Sequence, residues 1–220
     1  MAEAKTLSIR RLTLFIALAA VLSAAALAAP PDSTRPSDLC EIVRLDSTIR
    51  LDIRYATRNN FTGEVVYPVA RAFLQRPAAE ALIRVQAKLL ARGYGLVVFD
   101  AYRPWSITKK FWDITPPEKR QFVANPRYGS RHNRGCAVDC SLVKRSSGEE
   151  VVMTSPYDDF TERAAAFYTG GTPEQRAARD LLRKVMTEEG FAVNPDEWWH
   201  FDFREWRFYP VLDIPFSRIR

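Results

Sequence analysis

Residues 49–55 alternate apolar and polar side chains, with Ile49, Leu51, Ile53 and Tyr55 set against Arg50, Asp52 and Arg54. That period of two predicts a β-strand. Over 78–92 the apolar positions fall instead at Leu82, Ile83, Leu89 and Leu90, with Gln86 interrupting the stripe. This spacing predicts a helix, with Pro77 as its first residue and Gly93 as its stop. The short apolar run 94–99 reads as a buried strand ending at Asp100, and 135–143 as a second core strand. Residues 104–112 and 116–124, each opened by a proline, predict short helices. A longer amphipathic helix is predicted over 173–189, closed by Gly190, and Asn194-Pro195 bars its continuation. From Trp198 alternation returns, with Trp198, His200, Asp202 and Arg204 on one face of a strand and Trp199, Phe201 and Phe203 on the other. Helices and strands mix without a regular βαβ order. The pattern predicts an α+β single domain: a small, mostly antiparallel central sheet flanked by helices.

The N-terminus follows a different logic. Lys5, Arg10 and Arg11 precede an apolar run from Leu12 to Ala29, and Ala26-Leu27-Ala28 offers a small-x-small cleavage site. Residues 1–28 therefore read as a secretory signal peptide, and the chain as exported to the periplasm. An uncleaved anchor is the competing reading, but alanine dominates the run and a cleavage site closes it. Cys40 lacks the apolar and small residues that precede a lipoprotein cysteine, and Leu12-Thr13-Leu14 suits a twin-arginine signal poorly. Cleavage leaves no membrane span. It leaves a mobile Pro-rich lead-in over 29–40 and one domain over 41–220, enough for a single well-packed core. It also removes three basic residues and one acidic residue, lowering the formal net charge from +6 to +4. The remaining basic residues are dispersed rather than gathered in a stripe with aromatics, which argues against a nucleic-acid partner. Three cysteines are an odd set for an oxidising compartment. Cys136 and Cys140, four apart on an expected strand, would have Cα atoms about 13 Å apart, too far for a disulfide. Any bridge would use Cys40; three buried thiols are the alternative.

The candidate chemistry lies in the two histidines. His132 stands in Ser130-Arg131-His132-Asn133-Arg134-Gly135-Cys136-Ala137-Val138-Asp139, and His200 in Glu197-Trp198-Trp199-His200. Two imidazoles and a carboxylate are a donor set that zinc accepts at about 2.0–2.2 Å, with a fourth position left open. His132, Asp139 and His200 are therefore the candidate ligands of one zinc ion. Glu197, three residues before His200, reads either as a general base beside that ion or as a solvated turn residue.

These two motifs resemble the zinc D-alanyl-D-alanine dipeptidases, metallopeptidases related to the zinc D,D-carboxypeptidases. Three further segments carry the likeness, in order along the chain. Residues 55–63 are similar to Tyr-Ala-Thr-x-x-Asn-Phe-Thr-Gly. Residues 93–104 are similar to the family's strand and following arginine, and 153–158 to Met-Gly-x-x-Phe-Asp. The resemblance implies that His132, Asp139 and His200 hold zinc and that Glu197 is the general base and acid. It implies that Arg103 binds the carbonyl oxygen as it becomes an oxyanion, and that Tyr55, Ser130 and Asp158 surround the free ammonium group of a small dipeptide. Read alone, Arg103 would be a salt-bridge partner, Asp158 a loop acid and Tyr55 a core aromatic.

The expected reaction is hydrolysis of D-alanyl-D-alanine to two D-alanine, and the compartment suggests recycling of wall-derived dipeptide. The competing enzyme is a D,D- or L,D-carboxypeptidase acting on longer stem peptides. The competing non-enzyme is a zinc protein that binds peptidoglycan fragments, for which Glu197 and Arg103 would have no use. Three positions depart from the family pattern. Cys136 and Cys140 flank Asp139, and strand alternation turns both away from the ion. Thr154 stands where the family has glycine, which would alter the pocket wall.

Overall fold

The computed structural model describes residues 35–219. The expected signal peptide lies outside them. The chain opens with β1 (Leu39–Glu41), α1 (Ile42–Leu45), β2 (Arg50–Leu51), β3 (Phe73–Gln75) and α2 (Arg76–Leu90). It continues through β4 (Tyr94–Asp100), α3 (Trp105–Ile114), β5 (Ala137–Lys144), α4 (Pro173–Glu188), β6 (Phe191–Asn194) and β7 (Glu197–Phe203). The central sheet runs β2-β4-β5-β7-β6, antiparallel except where β2 meets β4. A separate antiparallel pair joins β1 to β3. This is the expected α+β arrangement. None of the described helices is long and apolar enough to cross a membrane.

Helices α2 and α4 pack against each other and against the sheet. Leu82, Val85 and Leu89 of α2 and Leu182, Val185 and Met186 of α4 share one core with Val138, Cys140 and Phe201 of the sheet. Gln86, the break in the apolar stripe, is fully buried and fully used. Its Nε2 donates to Thr48 O and Oγ1, and its Oε1 accepts from Leu96 N–H, so a polar side chain ties α2 to β4 without an unpaired group. The start of α4 is fixed by a capping box between Thr172 and Gln175, with Pro173 entering the first turn.

Three local expectations need correction. The strand expected over 49–55 shrinks to Arg50–Leu51, with one more bond from Asp52 N–H to Val98 O, where β4 begins to bulge. The chain then leaves the sheet in a 3₁₀ turn, Arg54–Ala56, that buries Tyr55. Of the lead-in expected over 29–40, residues 35–40 are described: Arg35 N–H bonds Phe208 O, and Leu39 and Cys40 lie in β1. Residues 191–194, read only as a helix exit, form the edge strand β6. The alternation expected along β7 holds for Phe201 and Phe203 in the core, but Trp199 lines the pocket with His200 and packs on Tyr157. A register shift between Val193 and Asn194 on the paired strand accompanies that departure.

Candidate active site

Sheet register assembles the site. Asp139 on β5 stands opposite His200 on β7 and opposite Asp100 on β4, so three polar side chains form a row across neighbouring strands. His132 arrives from a 3₁₀ turn, His132–Arg134, that closes on Gly135 at φ 66°. A Cβ on Gly135 would stand 2.4 Å from Leu39 Cδ2 and 3.3 Å from Gln75 N, so both the left-handed backbone and the close approach require glycine. Strand β5 therefore starts at Ala137, two residues later than the sequence pattern indicates. Ser130 holds the turn from the other side, its Oγ accepting from His132 N–H at 3.2 Å.

His132 Nε2, His200 Nδ1 and Asp139 Oδ1 converge, at separations of 3.1, 3.0 and 3.3 Å. The opposite ring nitrogens are already committed. His132 Nδ1 lies 2.6 Å from Ala101 O, an acceptor only, so that nitrogen carries the proton. His200 Nε2 faces Asp202 Oδ1 at 3.0 Å and donates to it. With both rings neutral, the imidazoles would turn lone pairs toward a carboxylate oxygen, an arrangement that calls for a metal ion or a proton between them. Tetrahedral bonds of about 2.0–2.1 Å would separate the donors by about 3.3 Å, close to what is seen. These three residues can hold a metal ion. Burial opposes charge on His200, but Asp139 and Asp202 outweigh it and raise the imidazole pKa well above its usual value. The site draws positive charge to itself.

Around this centre lies a cavity of about 620 Å³ lined by all eight residues singled out from the sequence: Tyr55, Arg103, Ser130, His132, Asp139, Asp158, Glu197 and His200. Glu197 Oε2 sits 3.8 Å from His200 Nδ1 and accepts from Asn194 Nδ2 at 3.0 Å, beside the donor triangle but not part of it. Burial, reinforced by the charge of Asp139, raises the Glu197 pKa above that of an ordinary glutamate. Arg103 is buried, with Nε and Nη2 both donating to Asp100 Oδ2 at 3.0 and 2.6 Å. Burial works against the guanidinium charge, but Asp100 prevails, so Arg103 stays cationic. At the far end, Tyr55 Oη lies 3.3 Å from both oxygens of Asp158. Asp158 is the single non-glycine residue with positive φ among those described, at 59°. Burial, then the negative charges of Asp139 and Glu197, push its carboxyl pKa up to about 8. A carboxyl in that position gains strongly from an incoming ammonium group.

Four contributors escape a reading of the sequence. Asp100 holds Arg103 through one oxygen and accepts from Tyr67 Oη and Ala101 N–H through the other. Ala101 and Asp202 orient the two imidazoles, and Tyr157 Oη donates to Asp139 Oδ2 at 2.9 Å. Asp202 alone left a signal, since alternation puts it on the face of His200. Cys136 and Cys140 are buried away from the cavity, and all three cysteines are free, so the thiol alternative holds. Thr154 is buried and does not line the cavity, contrary to the expected change in the pocket wall.

Two imidazoles and a carboxylate sharing one focus, with a second carboxylate a step away, set the chain among the metallopeptidases. Its sequence is more specific. The profile of the D-ala-D-ala dipeptidase family matches residues 32–213, and the chain belongs to that family. It is 32% identical over 181 residues to the D-alanyl-D-alanine dipeptidase of Escherichia coli K12, a match covering 82% of this chain and 92% of that one. It is 33% identical over 178 residues to the D-alanyl-D-alanine dipeptidase of Enterococcus faecium, covering 71% and 87%. Among solved structures, the LdcB LD-carboxypeptidase aligns at 20% identity over 84% of this chain and 80% of that one, with a TM-score of 0.46.

Proposed function

We propose that this chain is a zinc dipeptidase that hydrolyses D-alanyl-D-alanine to two molecules of D-alanine outside the cytoplasm, in the periplasm, after loss of residues 1–28. The observation that carries the reading is the convergence of His132 Nε2, Asp139 Oδ1 and His200 Nδ1 beside Glu197 in one cavity. The relatives' activity supports the substrate. Zinc, one per chain, would be held by those three residues and would supply Lewis acidity and a lowered water pKa.

Everything else falls to the chain's own groups. Asp158, with Tyr55 beside it and Ser130 on the wall of the same cavity, receives the substrate's free ammonium and fixes the distance from that group to the scissile carbonyl. Glu197 takes a proton from the attacking water, whose oxygen bonds to the carbonyl carbon, and returns it to the amine nitrogen as the C–N bond breaks. Arg103 meets the carbonyl oxygen as negative charge gathers there. Its salt bridge to Asp100 uses Nε and Nη2, which leaves Nη1 for that contact.

Both carboxyls must be ionised, Glu197 to accept a proton and Asp158 to pair with the ammonium, and both are raised above their ordinary pKa. Lowering the pH protonates them, so kcat/KM should fall toward the acid side; a rate profile from pH 5 to 9 checks this. A flat acid limb would separate these carboxyls from catalysis.

The substrate assignment is tested by release of D-alanine from D-alanyl-D-alanine, its N-acetylated form and a stem pentapeptide. Acetylation removes the charge that Asp158 is placed to pair, and the loss in kcat/KM should reach about 10⁴-fold. Comparable rates on the acetylated dipeptide or the pentapeptide would make the chain a carboxypeptidase instead.

A further inference from the structure

Asp139 uses its two oxygens differently. Oδ1 faces the imidazoles, 3.0 Å from His200 Nδ1 and 3.3 Å from His132 Nε2, while Oδ2 accepts from Tyr157 Oη at 2.9 Å. The phenol is held by its ring, which packs on Phe99 at 4.8 Å and Trp199 at 5.4 Å between centroids. A phenol has one proton to give, and the shorter contact takes it. Tyr55 Oη lies 3.5 Å from Tyr157 Oη and closer, at 3.3 Å, to both oxygens of Asp158. Tyr157 therefore stands between the metal ligand and the end of the cavity that holds Asp158.

We propose that Tyr157 is a positioning residue for the metal: by donating to Oδ2 it keeps Asp139 ligating through Oδ1 alone. A carboxylate whose second oxygen is unheld can rotate to bind through both, which adds a ligand and crowds the open position. The hydrogen bond from Tyr157 opposes that rotation. The inference rests on the reading of His132, Asp139 and His200 as metal ligands.

The test replaces zinc with cobalt(II), whose visible absorption is strong in four-coordinate sites and weakens as ligands are added. Tyr157→Phe keeps the ring and its packing and removes only the donor. In Co²⁺ titrations of metal-free full-length protein, the variant should bind about 10-fold or more weakly and show a weaker visible band. Tyr55→Phe, which reaches Asp139 only through Tyr157, should bind Co²⁺ with the band of the unaltered chain. Matching circular dichroism and unfolding midpoints of the metal-free proteins establish that folding is intact. An unchanged band in Tyr157→Phe overturns the proposal whatever the affinity does, and so does an equal change in Tyr55→Phe. Failure of the unaltered chain to bind Co²⁺ would instead overturn the reading of the metal site.

Discussion

Glu197→Gln should keep its metal and lose about 10²–10⁴-fold in kcat, with little change in KM. The expectation follows from where the carboxylate stands. Oε2 is 3.8 Å from His200 Nδ1, while the three donor atoms lie within 3.3 Å of one another. Glu197 is thus outside the ligand set but close enough to reach a proton on a molecule bound at the centre. Asn194 Nδ2 holds it at 3.0 Å, and burial keeps its proton affinity above that of a surface glutamate, as suits a group that must both take and return a proton. Glutamine preserves the shape and an acceptor oxygen but has no basicity to offer. Steady-state kinetics with metal analysis of the same sample decide the matter. Loss of metal along with activity would make Glu197 a ligand rather than a base.

Arg103→Ala should cost about 10²–10³-fold in kcat through loss of the oxyanion contact, and it should also destabilise the fold. Asp100 is completely buried beneath the guanidinium, which donates two hydrogen bonds to its Oδ2. Removing Arg103 leaves that charge with only Tyr67 Oη and Ala101 N–H as donors, a change of about 3–5 kcal/mol for a broken buried pair. Arg103→Lys would restore the charge but not the pair of bonds, so activity should recover less than stability. Urea unfolding and kinetics of the three proteins separate the two effects. Unaltered kcat in Arg103→Ala would place the oxyanion contact elsewhere.

The elements most legible in the sequence are those whose neighbours repeat along the chain. Helices α2 and α4 show their apolar stripes, their prolines and their closing glycines, and β4, β5 and β7 are unbroken apolar or alternating runs. The three residues that could hold a metal ion were equally legible as candidates, because the chain has only two histidines and each stands near an acid. Elements set by contact with distant chain were not. Residues 49–55 alternate well enough for a strand, but β2 has β4 as its partner for two residues only, and the turn that follows places Tyr55 in the cavity. Residues 191–194 become a strand because β7 lies beside them. The supporting groups were hidden for the same reason. Asp100 sits three residues before Arg103 at the end of an apolar run, and nothing local distinguishes it from a strand-ending acid. Tyr157 acquires its role only when the loop folds over β5 and brings its hydroxyl to Asp139.

The central claim is that one metal ion held by His132, Asp139 and His200 makes this cavity a dipeptidase. The most direct measurement is the rate of D-alanine release from D-alanyl-D-alanine as zinc is returned in steps to the chelated, metal-free protein. Turnover should be absent without metal and should rise in proportion to bound zinc until one ion per chain is reached. Full turnover in the metal-free protein would contradict the account.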